Sequence, residues 1–360
     1  MTIAVFSIVV YCLAIAGLSF GFTRIKKFTP TPLEPKTKFS IIVPFRNEAE
    51  NLPQLLASIS RLNYPTDLFE VILVDDESSE KFRIQDLGFK IQLVTNNRVS
   101  NSPKKDAIVT AMDLVTTDWV VTTDADCIVP KNWLLTLDHY IQMHAVKMVA
   151  GAVQYDCQNY FLHHFQQLDL ASLQGATIGS FGIAKGFMCN GANFAYSKAF
   201  FYELKGFEGN ETIASGDDVF LLQKAIAYTP KQVHYLKSSE TIVHTKPLND
   251  WKSVFYQRVR WAAKSSSYKS SFGKGLSIIV FTGNLTIVLG LFFLNFWIFV
   301  TLFLFKSIVD TILILQANRF CNNKTKFLVM STIVYPFWSV TVALYSLFGK
   351  YEWKGRLFTK

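Results

Sequence analysis

The chain has 360 residues, half of them hydrophobic and 32 of them Phe, with a formal net charge of +9. A mean hydropathy of +0.23, with the apolar residues gathered at both ends, excludes an ordinary soluble domain. The positive balance suits anionic headgroups and nucleotide substrates; no nucleic-acid-binding motif appears, so no nucleic-acid partner is expected.

Residues 2–22 carry no charge and are followed at once by Arg24, Lys26 and Lys27. About twenty apolar residues cross the hydrocarbon core as a helix. Charges placed after the stretch rather than before it disfavour a cleaved signal peptide. They predict an anchor over 1–23 with the chain beyond it in the cytoplasm. A Pro-rich linker over 24–38, centred on Thr29-Pro30-Thr31-Pro32, reads as an extended spacer.

Beyond it, residues 39–275 read as one α/β domain. Strands are expected over 39–44, 69–74, 89–94 and 119–123, with helices over 48–59 and 104–114 between them. Short β-branched runs alternating with helical stretches indicate βαβ units and a parallel sheet. Ligands of such sheets bind beyond the carboxyl ends of the strands. Pro44, the pair Asp75-Asp76, and Asp124 with Asp126 all fall there. Side chains two apart in a strand share a face, so Asp124 and Asp126 can converge on one hard cation carrying a diphosphate. No G-x-G-x-x-G follows the first strand and no P-loop is present, which disfavours a nicotinamide dehydrogenase and a P-loop ATPase.

Three segments complete the domain. Gly186-Phe187-Met188-Cys189-Asn190-Gly191-Ala192-Asn193 is either a tight turn or a loop that lets backbone approach a ligand. Asp217 and Asp218 precede an apolar helix; helix capping accounts for them, and so does a general base. Gln257-Arg258-Val259-Arg260-Trp261 is a basic interfacial helix, or else Arg260 clamps a diphosphate and Trp261 stacks on a sugar. Five scattered cysteines, none spaced Cys-x-x-Cys, suggest neither zinc nor a disulfide framework.

Residues 276–348 form a second apolar region of two or three segments, and 349–360 a basic tail. Three crossings would place Lys350, Lys354, Arg356 and Lys360 outside, against the charge bias. One C-terminal segment is therefore expected to be re-entrant or interfacial.

Val43-Pro44-Phe45-Arg46-Asn47-Glu48, Val74-Asp75-Asp76-Glu77-Ser78, Asp124-x-Asp126, Gly216-Asp217-Asp218 and Gln257-x-x-Arg260-Trp261 together resemble the family 2 glycosyltransferases of GT-A fold, in order and approximate spacing. The membrane-bound branch with the Gln-x-x-Arg-Trp motif is the most similar, and the tail Trp353-Lys354-Gly355-Arg356 resembles its smaller lipid-modifying members. The resemblance implies a Rossmann-like nucleotide-diphospho-sugar transferase domain between an N-terminal transmembrane helix and C-terminal ones. It implies that Pro44, Arg46, Glu48 and Asp76 line the base and ribose pocket, with Lys105 near the nucleotide. Asp124 would be shared between ribose and metal, and Asp126 would hold Mg²⁺ or Mn²⁺. Asp218, beside Asp217, would be the catalytic base, and Gln257, Arg260 and Trp261 would flank the diphosphate and acceptor.

The expected activity is inverting, metal-dependent transfer from a nucleotide-diphosphate sugar, by analogy a UDP-sugar, to a hydroxyl of a membrane lipid. The expected location is the cell (inner) membrane, multi-pass, with the catalytic domain cytoplasmic. A processive polysaccharide synthase is the alternative. An inactive scaffold retaining the fold is a second, which the intact acids Asp76, Asp124, Asp126 and Asp218 disfavour.

Overall fold

The structure, a computed structural model, describes residues 1–360 except 81, 84, 85, 212, 214, 349, 350, 354, 355, 359 and 360, with backbone alone at 266, 351–353 and 356–358. Lys350, Lys354 and Lys360 of the basic tail thus lie outside the described residues. The chain runs α1 (Thr2–Arg24), β1 (Phe39–Phe45), α2 (Leu52–Ile59), β2 (Phe69–Asp75), β3 (Lys90–Thr95), α3 (Pro103–Met112) and β4 (Trp119–Thr122). Then come β5 (Cys127–Ile128), α4 (Trp133–Met143), β6 (Met148–Ala150), β7 (Val153–Tyr155), α5 (Phe161–Gly182), β8 (Phe194–Ser197), α6 (Lys198–Glu203) and α7 (Asp217–Tyr228). The last elements are β9 (Val233–Tyr235), β10 (Val243–Thr245), α8 (Trp251–Ala263), α9 (Ser271–Phe293), α10 (Phe296–Phe320), α11 (Leu328–Phe348), β11 (Tyr351–Trp353) and β12 (Arg356–Phe358).

Two compact units share these elements. A sheet unit comprises Lys26–Asp156 and Met188–Lys246; a helical unit comprises Met1–Ile25, Cys157–Phe187 and Pro247–Lys360. Residues 157–187 and 247–275, grouped by the sequence reading with the 39–275 domain, cluster instead with the long apolar helices.

The main sheet has the order β3-β2-β1-β4-β8-β6-β9. Strands β3, β2, β1 and β4 are mutually parallel, and β8 runs antiparallel to both β4 and β6. Phe39, Ile41 and Val43 pack with α2 and α4 side chains such as Leu55, Ile59 and Trp133. The opposite face of β1 and β2 meets α3. Burial on both faces explains why these strands read as continuous apolar runs rather than alternating ones. Each fully buried Leu or Ile here contributes roughly 1.5–3 kcal/mol. The helix expected from Glu48 begins only at Leu52, because residues 48–51 form a turn whose Glu48 carbonyl accepts from the amides of Asn51 and Leu52. Pro53 then sits in the first helical turn, where its missing N–H leaves no hydrogen bond broken. A smaller sheet, β5-β10-β7, continues from the end of β4.

The Pro-rich linker is extended, but it is laid along the sheet unit. Leu33 and Glu34 carbonyls bond His139 Nε2 and Gln142 Nε2 at 3.0 Å each, and Asp138 accepts from the Thr37 amide at 3.0 Å. Proline removes donors but leaves carbonyl acceptors, and α4 supplies their partners.

Four helices among the described residues, α1, α9, α10 and α11, are long and apolar enough to cross a membrane; the chain is a membrane protein. In the helical unit α5 packs against α1 and α10. A Cβ added at Gly179 would lie 2.2 Å from the Leu18 carbonyl oxygen, and one at Gly182 would lie 1.8 Å from that of Gly21. The two backbones can approach this closely only because those positions lack side chains. Although α5 carries His163, Gln166, Gln167, Asp169 and Gln174, all five are buried.

Candidate functional site

The parallel strands bring the polar ends together. Phe45 of β1 stands opposite Asp75 of β2, and the Asp76 amide donates to the Phe45 carbonyl at 2.8 Å. Just beyond β4, the Thr123 amide donates to Ile42 of β1 at 3.2 Å, so Asp124 emerges at the same sheet edge.

Two loops are clasped at this edge. Asn47 accepts from the Ser79 amide at 2.9 Å and donates its own amide to Ser78 Oγ at 2.9 Å. Asn47 and Glu77 both adopt left-handed backbone, at φ 54° and 58°. Such strain in a non-glycine residue costs of order 1–3 kcal/mol and persists where surrounding bonds over-determine it. Arg46 donates to the Asp76 carbonyl at 2.7 Å and pairs with Glu77 at 3.6 Å. Asp76 itself is buried, accepting from Asn96 Nδ2 at 2.7 Å and facing Arg98 at 3.4 Å. Pro44 and Glu48 flank this cluster, partly exposed, with Glu48 accepting from Asn51 at 2.6 Å. Asn96 and Arg98 follow β3 in a segment without a motif, so only the fold brings them to Asp76.

The acids of the second half meet around a lysine. Lys104 Nζ donates to Asp124 Oδ1 at 2.7 Å and lies 3.3 Å from Asp217 Oδ2. Burial works to lower its pKa, but Asp124, Asp217 and Asp218 outweigh that effect and raise it. A folded-state pKa raised in this way keeps the ammonium charged throughout the neutral range. Lys105, expected near the nucleotide, points away. Its buried ammonium donates to the carbonyls of Asn210 at 2.6 Å and Ile213 at 2.8 Å, and lies over the Phe220 ring. Consecutive helical residues project about 100° apart, so only one of the two lysines can face the acids.

The glycine loop approaches the same acids. Gly191 N donates to Asp218 Oδ2 at 2.9 Å, while its carbonyl accepts from Thr122 Oγ1 at 2.7 Å. A Cβ at Gly191 would stand 3.0 Å from Asp217 Oδ2 and 3.2 Å from Lys104 Nζ. A side chain at Gly191 would therefore crowd Asp217 and Lys104. Asn193 instead is a buried structural hub, donating to the carbonyls of Ala152 and Thr241 and accepting from Trp133.

Gly216, at φ 87°, starts α7 as its N-cap without a side-chain cap. Asp217 is buried against Lys104, whereas Asp218 is partly exposed. Asp126, also partly exposed, lies in the turn closed by the Cys127 amide on the Asp124 carbonyl, directly before β5. Beside it, burial first, then Asp126 and Asp124, push the Cys127 thiol well above its ordinary pKa. Among the described residues no group of three or more His, Cys, Asp or Glu side chains is arranged to hold a metal. Asp124 and Asp126 supply oxygen donors of the kind a hard cation takes, and one oxygen of Asp124 accepts here from the Lys104 ammonium. Gln257, Arg260 and Trp261 lie on α8 in the helical unit, each partly buried.

Residues 40–205 match the model of Glycosyl transferase family 2. Poly(ribitol-phosphate) beta-N-acetylglucosaminyltransferase TarS of Staphylococcus aureus (strain Mu50 / ATCC 700699) is 32% identical over 115 residues, 30% of this chain and 19% of that protein. Undecaprenyl-phosphate 4-deoxy-4-formamido-L-arabinose transferase of Serratia proteamaculans (strain 568) is 36% identical over 104 residues, 26% of this chain and 30% of that protein. The matched segment spans less than a third of the length of either relative. Among solved structures, the mannosyltransferase PcManGT of Pyrobaculum calidifontis, in complex with GDP-Man and Mn²⁺, superposes with a TM-score of 0.56 at 16% identity. That match covers 95% of this chain and 99% of the other, and is a likeness of fold.

Proposed function

We propose that this chain, which belongs to glycosyl transferase family 2 through residues 40–205, moves a sugar from a nucleotide-diphosphate sugar to a hydroxyl of a membrane lipid. The fold is the GT-A Rossmann-like α/β fold expected from the motifs. The observation that carries the reading is the meeting of Asp124, Asp217, Asp218, Lys104 and Gly191 at the edge where β1, β2 and β4 end.

Arg46 and the buried Asp76 form a rigid wall suited to the base and ribose, because an ionised carboxylate only accepts hydrogen bonds. Lys104, a charged ammonium among carboxylates, suits one oxygen of the diphosphate. Asp218 is held by the Gly191 amide yet partly exposed, which fits it to take the proton of the acceptor hydroxyl. The hydroxyl oxygen then bonds to the anomeric carbon as the bond from that carbon to the diphosphate breaks, with inversion. Asp217, buried and paired with Lys104, holds that lysine in place. Asp124 and Asp126 would hold Mg²⁺ or Mn²⁺, which when bound neutralises charge on the departing diphosphate.

Replacing Lys104 with Gln is expected to weaken nucleotide-sugar binding about 10-fold or more, from loss of a charge-assisted hydrogen bond of ~1.5–3 kcal/mol. Replacing Lys105 with Gln should lower thermal stability and leave donor binding nearly unchanged. Binding titrations and melting curves of the two variants separate these outcomes.

The domain side of the membrane is proposed to be cytoplasmic. Arg24, Lys26 and Lys27 follow α1, and Lys324 and Lys326 lie between α10 and α11, whereas the α9–α10 connection at Leu294 and Asn295 is uncharged. Within the helical unit α11 packs along the polar-faced α8 through Phe255–Trp338 and Val259–Val342 contacts. The backbone of β11 also lies beside α8. These contacts support an interfacial or re-entrant α11, which would keep the basic tail on the domain side.

Incubating membranes that contain the protein with labelled sugar nucleotides tests the whole reading. Label is expected in the lipid extract, at a size of one or a few sugars. High-molecular-weight label on gel filtration would make it a polymer synthase, and no incorporation from any donor would overturn transfer.

A further inference from the structure

Within the helical unit, α8 carries its motif residues around a buried arginine. The Arg258 guanidinium lies 4.2 Å from the centre of the Trp261 ring and also donates to Gln257 Oε1. Its Nε donates to the carboxylate of Asp169 on α5, and both side chains are about 95% buried, at 5% and 6% exposure. Tyr335 of α11 lies near Asp169 and Ser172 of α5, and Ser172 Oγ donates to the Asp169 carbonyl at 2.8 Å. Positions 257 and 261 are one turn apart on a shared helix face, 258 is the i,i+3 neighbour of 261, and the Arg258 side chain reaches Gln257 through its own hydrogen bond. One planar cation thus ties the orientation of the glutamine amide to that of the indole.

A buried ion pair is a weak source of stability, since desolvation costs several kcal/mol per ion and apolar replacements of similar volume are often neutral or stabilising. An α5–α8 contact needing only adhesion would be served by leucine and methionine. A planar fork, by contrast, stacks and donates in fixed directions, which an apolar pair cannot reproduce.

We propose that Asp169 is a positioning residue for acceptor use: through Arg258 it orients Gln257 and Trp261 on α8. This rests on the glycosyl-transfer reading above.

The test compares D169L/R258M, R258K and D169E with wild type in detergent. It uses the sugar nucleotide selected by the membrane assay as donor and total membrane lipid as acceptor. The double variant is expected to keep its melting temperature and donor affinity while transfer falls about 10- to 100-fold, chiefly as a raised acceptor KM. R258K keeps the charge but loses the fork, and should lose transfer similarly. D169E should recover to within about threefold of wild type. A folded double variant that transfers within threefold of wild type overturns the proposal. So does a loss of donor affinity equal to the loss of transfer.

Trp261 emission, obtained by subtracting the spectrum of W261F, gives a readout independent of activity. It should shift in D169N and R258K and stay in place in D169E. An unmoved emission in folded D169N overturns the positioning role even if wild type proves inactive. A shifted emission in D169N, beside a wild type that transfers sugar from no donor, overturns the transfer reading and the acceptor role with it, while the coupling of Asp169 to Trp261 stands.

Discussion

Asp218→Asn is expected to bind the sugar nucleotide with unchanged affinity and to transfer sugar about 10²–10⁴-fold more slowly, the usual contribution of a positioned general base. The substitution is nearly isosteric, and the amide oxygen can still accept from the Gly191 amide as Oδ2 does at 2.9 Å. What disappears is the ability to accept the acceptor's proton. Asp217→Asn should behave differently, because Asp217 is buried 3.3 Å from the Lys104 ammonium. Its loss should loosen Lys104 and weaken donor binding first. Isothermal titration with donor, set beside single-turnover transfer, reads both variants. Near-normal turnover in Asp218→Asn would move the base elsewhere.

Chelating divalent cations should lower transfer by about 10²–10³-fold or more, in the range lost when one stabiliser of developing charge is removed from a site. Added Mg²⁺ or Mn²⁺ should restore it. Asp126→Ala should reproduce the loss without restoration at the metal concentration that saturates wild type. Among the described residues no set of three side-chain ligands stands ready, so tight cation binding should require the nucleotide diphosphate as well. Equilibrium dialysis with Mn²⁺, with and without uridine diphosphate, measures that dependence. Full activity in chelator would remove the metal role from Asp124 and Asp126.

Much of the sheet unit is legible in the chain. Phe39-Ser40-Ile41-Ile42-Val43 and Val71-Ile72-Leu73-Val74 are apolar without interruption because both sheet faces are covered, one by α2 and α4 and the other by α3. Once those strands are parallel, their carboxyl ends must lie together. Asp76 and Asp124 therefore fall at one edge by topology alone. Aromatic, apolar stretches of twenty residues likewise declare α1, α9, α10 and α11.

Other features depend on rotation and packing that no single segment encodes. Helix α5 is buried although it is polar, because its glycines admit α1 and its Asp169 meets Arg258 across the bundle. Periodicity in α5 could not reveal partners more than 80 residues away. The linker's prolines signal extension but not the α4 side chains that receive its carbonyls.

By itself the sequence determined the parallel strands β1 to β4 and the apolar helices, since these follow from local period and residue chemistry; the roles of Asp124, Asp126, Asp217 and Asp218 come from the family resemblance. Tertiary structure decided that Lys104 rather than Lys105 faces those acids, that Gly191 touches Asp218, and that Asp169 holds Arg258. Each of these turns on the angle at which a helix or loop is set against its neighbours, and one residue of helical rotation carries a side chain from the site to the core.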